Sequence, residues 1–152
     1  MADIHHEATC RAPVSVTFAY VDDYRNATKW MFGLSRFEPT TERVRGVGSV
    51  FEGTFHVKPV NLHSTIEGTG WEQDALIAFR SVKGFKNEST WRFHAAGDAL
   101  TRVVVDFHYD LPGGLAGRAL GKALEPIAAL SVRHSEAALR RLVEAEYAAT
   151  QQ

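Results

Sequence analysis

Three side chains able to orient or move a proton stand out by type and placement: Tyr109, Ser131 and His134. Tyr109 closes a run in which Val103, Val105, Phe107 and Tyr109 alternate with Arg102, Val104, Asp106 and His108. A period of two puts the first set on the apolar face of a strand. Ser131 and His134 are three residues apart in a long helical segment and so share one face. A Tyr, a Ser and a His in one apolar pocket could orient a carbonyl or hydroxyl of a ligand, and the His could also transfer a proton near neutral pH. The competing reading is a buried hydrogen-bond network whose members satisfy one another. His6 is a weaker candidate, turned inward by alternation in residues 3 to 11.

Other chemistries find less support. The chain has seven His and one Cys. His5 and His6 are adjacent on a strand and point opposite ways, and neither a helically spaced His pair nor a Cys pair exists, so no metal site is expected. No sharp strand-to-helix Ser turn suggests nucleophilic catalysis. Gly113-Gly114 lacks the Lys and further glycines of a phosphate loop. Cys10 alone forms no internal disulfide. A formal net charge of −1 with interspersed signs gives no basic stripe for nucleic acid. No basic-then-apolar leader or spanning apolar run is visible, so a cytoplasmic protein without stable membrane insertion is expected. No cofactor is called for, and the oligomeric expectation is a monomer or homodimer.

These side chains must be positioned by the elements around them. At 152 residues and 45% hydrophobic content, the chain reads as one domain spanning 1–152 with a sizeable core. Residues 3 to 11 read as a strand. Pro13 opens a short helix over Val14–Val21, an Asp of the Asp22-Asp23 pair caps a second over Tyr24–Phe32, and Gly33 stops it. Period-two strands follow at Arg36–Arg45, Ser49–Val57, Leu62–Gln73, Leu76–Val82, Lys86–Ala95 and Leu100–Leu111, joined by short turns that imply an antiparallel meander. The final helix runs from Leu115 to about Tyr147. On a wheel advancing about 100° per residue, Leu120, Leu124, Ile127, Ala138, Leu142 and Ala145 cluster, with Ser131 and His134 among them. Arg118, Lys122, Glu125, Arg133, Glu136 and Arg140 fall opposite. Pro126 should kink or split this helix.

The expectation is an α+β fold: a seven-stranded curved antiparallel sheet wrapped around the long C-terminal helix, with two short helices after the first strand. One helix must cover the whole apolar face, so the sheet must curl and can leave space inside.

The chain resembles the START-like, helix-grip (SRPBCC) superfamily, which includes polyketide cyclase/dehydrase and lipid-transport proteins and the birch-pollen allergen. The resemblance spans essentially the whole chain. It is carried by Ala12-Pro13-Val14 followed by the helical segment with Trp30, by Gly48-Ser49-Val50-Phe51, and by Thr101-Arg102-Val103 running through Tyr109-Asp110-Leu111-Pro112-Gly113-Gly114-Leu115 to Glu125-Pro126. It implies a START-like ligand-binding domain with an internal hydrophobic cavity. The superfamily's aromatase/cyclase branch keeps a polar set in its pocket. No such set matches here residue by residue, so no catalytic residue is carried over. Asn26 to Met31 also departs from the Trp-Pro pair common after the second helix.

Strand parity nominates the ligand-binding residues. Phe51 and Phe55 flank Gly53, which leaves space or marks a bend. Phe79 follows on the next inward face, then Ser89, Trp91 and Phe93, then Phe107 and Tyr109. Ser131 and His134 complete the set from the helix. Two functions remain open. The first is binding or transport of a hydrophobic small molecule such as a lipid or polyketide. The second is a polyketide cyclase/dehydratase-type enzyme in which Tyr109 or His134 assists enolisation or water loss. A partner-binding module with a filled, vestigial pocket is a third reading.

Overall fold

In a computed structural model, the fold is described for residues 2–57, 60–110 and 114–151, with backbone alone at 2, 57, 60 and 114–129. Strand β1 (Ala2–Cys10) leads into helix α1 (Val14–Asp22), a 3-10 turn (Tyr24–Asn26) and the single-turn helix α2 (Ala27–Trp30). Six strands follow: β2 (Leu34–Pro39), β3 (Val50–Val57), β4 (Val60–Glu72), β5 (Leu76–Gly84), β6 (Lys86–Gly97) and β7 (Leu100–Asp110). The chain then enters α3 (Gly114–Thr150). The sheet is antiparallel throughout, in the order β1-β7-β6-β5-β4-β3-β2. The antiparallel sheet and closing helix are as the alternation and short turns predict, and together they make the α+β helix-grip arrangement that the resemblance implies.

Register shifts mark where the sheet bends. They fall between Leu34 and Arg36, at Thr65/Ile66 and Gly68/Gly70 in β4, and at Ala95/Gly97 in β6. An extra residue in one strand increases the local twist and curls the sheet. Gly68 has a second task. A Cβ there would collide with the Gly46 carbonyl, where the chain between β2 and β3 folds onto β4 through Gly68 N–H to the Ser49 carbonyl at 2.8 Å. Gly53, by contrast, sits in regular pairing with Ser64, and Ile66 and Phe37 fill the space beside it. It marks neither a bend nor an opening.

Several boundaries differ from expectation for local reasons. The strand expected over Arg36–Arg45 starts at Leu34 and ends at Pro39, which has no N–H to continue a ladder. Beyond it, the Thr41 hydroxyl accepts from Val50 N–H and donates to the Arg43 carbonyl, holding a turn instead. The helix expected over Tyr24–Phe32 divides into the 3-10 turn and α2; the Asp23 carboxylate accepts the Arg25 N–H at 3.0 Å, as a cap does. Helix α3 runs unbroken through Pro126, so the expected division is not found. The side chains of Leu120, Leu124, Ile127 and the other residues of 115–129 lie outside the described residues, as do Leu111, Pro112 and Gly113.

Over residues 130–150, the face of α3 turned to the sheet also differs. Ser135, Glu136, Leu139 and Val143 are buried, while Ala145 is exposed and Ala138 and Leu142 are half-buried. The buried line is centred on Leu139, about 100° from the stripe centred on Ala138. The wheel weighted small alanines equally with Leu and Val, although each buried CH2 contributes about 0.8 kcal/mol and alanine brings few. Glu136, expected in water, is tolerated inside because its carboxylate lies 3.4 Å from His6 Nε2 and 4.0 Å from Arg140 Nε. Cys10, Phe18, Phe93, Val103, Leu139 and Val143 close the solid part of the core. There the Phe18 ring meets Phe93 and Trp71 edge-on at 5.4 and 5.7 Å.

Candidate functional site

The concave face of the sheet and the inner face of α3 do not meet everywhere. Between them lies a cavity of about 150 Å³. Six of its lining residues come from inward positions of neighbouring strands: Phe55 on β3, Phe79 on β5, Ser89 and Trp91 on β6, and Phe107 and Tyr109 on β7. The register brings them together, since Ser89 pairs with both Phe79 and Phe107, and Trp91 pairs with Val105. Helix α3 contributes Ser131, Val132 and Ser135. The surface is chiefly apolar, with a few polar groups, as in sites for small hydrophobic molecules.

Seven of the ten nominated residues therefore line one space. The other three are elsewhere. Phe51 is 1% exposed and stacks on Phe37 with ring centroids 4.5 Å apart. It faces a separate cavity of about 40 Å³ behind Phe37, Phe79 and Trp91. Phe93 is part of the solid core against Phe18. Further along β6 than Trp91, it meets α1 rather than open space. His134 is exposed and lies in an outer groove with His56, Thr28 and Arg141, its ring 5.6 Å from Phe32. The turn of α3 that brings Leu139 inward carries His134 out and keeps Ser131 among the lining residues. The expected meeting of His134 with Tyr109 does not occur. His6 is half-buried against Glu136 and does not line the cavity.

Other lining residues escaped the reading of the sequence. Met31 and Phe32 come from the turn after α2, where no periodicity sets side-chain direction, and Leu34 opens β2 opposite Phe55; the turn is held by Phe32 N–H donating to Ser135 Oγ at 2.8 Å. Phe85 sits in the connection between β5 and β6, its ring 6.1 Å from Phe55 and 6.3 Å from Tyr109. Asn87 was legible by parity, being two residues before Ser89. It is 4% exposed and its Nδ2 donates to Ser64 Oγ at 3.2 Å and to the Phe85 carbonyl at 2.9 Å.

Chemically, the described lining residues offer hydroxyls and an amide: Asn87, Ser89, Tyr109, Ser131 and Ser135. Among them is no carboxylate, imidazole or ammonium. Such a surface orients a ligand by hydrogen bonds. Among the described residues no cluster of His, Cys, Asp or Glu is arranged to hold a metal ion, and no helix is long and apolar enough to cross a membrane.

A model of the family described as polyketide cyclase / dehydrase and lipid transport matches residues 1–145. Among solved structures, the Thermus thermophilus protein TTHA0849 superposes with a TM-score of 0.82 at 20% identity, over 95% of this chain and 99% of that one. The Zhui aromatase/cyclase from Streptomyces sp. R1128 gives 0.78 at 17% identity, over 94% and 93%. A START superfamily protein from Mycobacterium smegmatis gives 0.63 at 16%, over 88% and 97%. At these identities the likeness is one of fold. No curated protein matches the sequence.

Proposed function

Because the chain belongs to the polyketide cyclase / dehydrase and lipid transport family, we propose that it binds a hydrophobic small molecule between the sheet and α3 and acts as a carrier or binding protein. The observation that supports this reading is the open space of about 150 Å³ among Phe55, Phe79, Phe85, Trp91 and Phe107. Close-packed interiors have few voids larger than a water molecule, and an apolar cavity of this size admits a benzene ring. The cyclase/dehydratase reading has less behind it. It needs a group that takes up a proton at the reacting carbon. Of its two candidates, Tyr109 lines the cavity and His134 faces outward.

Native mass spectrometry of protein purified from its own host tests the proposal. The expected result is a copurified apolar molecule, identified after extraction, whose adduct is lost when Ser89→Leu fills the cavity. Protein that arrives empty and takes up no small arene when titrated overturns it.

A further inference from the structure

Asn87 is anchored from several directions. Its backbone N–H donates to Ser81 Oγ at 2.9 Å, and its Nδ2 donates to the Phe85 carbonyl and to Ser64 Oγ. The Phe85 carbonyl can only accept, so it fixes which end of the amide faces it. Ser64 Oγ spends its own proton on that same carbonyl, at 3.0 Å, and so serves Asn87 as an acceptor. Both amide protons are thereby committed to the protein. The amide oxygen Oδ1 is left, with no donor among the described residues. Asn87 belongs to the inward set of β6, pairs across to Tyr109 and lines the cavity.

We propose that Asn87 makes this cavity selective for hydroxyarenes, its Oδ1 accepting the phenolic O–H of a ligand whose ring lies among Phe55, Phe85 and Phe107. The inference rests on the cavity being a binding site and adds the class of molecule that fits it. The space matches one aromatic ring, and aromatic walls favour an aromatic guest through offset or edge-on contacts. An acceptor fixed in place discriminates in one direction: it rewards a ligand O–H and gives nothing to a methyl group or an ether oxygen. Because the neighbouring bonds hold the amide before the ligand arrives, little ordering is needed on binding.

The test compares p-cresol, p-xylene and 4-methylanisole, which share a ring and differ at one substituent, by titration followed through calorimetry. The wild-type protein should bind p-cresol about tenfold tighter than p-xylene, the effect of one net hydrogen bond, with 4-methylanisole no better than p-xylene. In Asn87→Leu the preference should fall to within about twofold while p-xylene binding persists. A second readout needs no variant: the side-chain carboxamide carbon of Asn87 should shift in NMR spectra on adding p-cresol and not p-xylene. Equal binding of p-cresol and p-xylene to the wild type, or an unmoved carboxamide signal, overturns the selectivity while leaving the hydrophobic site standing. Failure of all three ligands to bind overturns both readings.

Discussion

Burial pushes the Cys10 thiol up to about 11, and the nearby Glu144 and Glu136 carboxylates add to the rise, while a hydrogen bond with Thr17 opposes it. At 3% exposure, against Phe18 and Leu139 in the solid core, Cys10 behaves as a small apolar side chain. Two outcomes follow from the thiolate's absence at ordinary pH. An aromatic disulfide reagent at pH 8 should modify the folded protein slowly and the denatured protein within minutes. The sign of the linkage is also fixed: from pH 9.0 to about 11, the unfolded thiol releases a proton that the folded one keeps. Stability must therefore fall as pH rises through that window. Denaturant unfolding at pH 7 and pH 10 should show this loss in the wild type and a smaller one in Cys10→Ala. Fast labelling of the folded protein at pH 8 would mean that β1 opens readily.

At the scale of elements, the orientation of α3 is the feature with the largest energetic consequence. Leu139 is 2% exposed and Leu142 is half-buried. Leu139→Ala should cost about 2–5 kcal/mol, as deletions from well-packed cores do, and Leu142→Ala less than half as much. Equal losses in denaturant unfolding, or the reverse order, would return the helix to the stripe centred on Ala138. Strands were far more legible than this helix. A strand has two faces, and one charged position such as Arg102 decides which is wet. A helix has a continuum of faces, and in α3 the alanines spread the apolar signal around it. The polar residues that turned inward, Ser135 and Glu136, did so with partners distant in sequence, Phe32 N–H and His6. Among the described residues of α3 only Arg140, one turn beyond Glu136, lies within ion-pair distance of either of them. The same distinction separates the cavity residues that were found from those that were not. Phe79, Ser89, Trp91 and Phe107 follow from alternation, whereas Met31, Phe32 and Phe85 lie in connections whose geometry is set by tertiary contacts.

Over the whole molecule, the division of the interior into a solid end and a hollow end joins fold to function. The solid end unites α1, β1, β6, β7 and the later turns of α3 around Phe18, Phe93 and Leu139. The hollow end faces Ser131, where a packed core would place larger side chains. A ligand that fills this space binds the folded chain only, and so raises its stability by mass action. At a free concentration of a hundred times the dissociation constant, the gain is about 2.7 kcal/mol. In a domain of about this length each kcal/mol moves the melting temperature by about 2–4 °C, giving a rise of about 5–11 °C. The rise should grow with the logarithm of ligand concentration and should be absent in Ser89→Leu, where the added side chain occupies the space. It should survive in Leu139→Ala, whose lower baseline comes from the solid end. A shift of equal size in wild type and Ser89→Leu would place the ligand elsewhere, with the outer groove beside His56 and His134 the first place to look. A shift confined to the wild type and Leu139→Ala would tie the added stability to the hollow end.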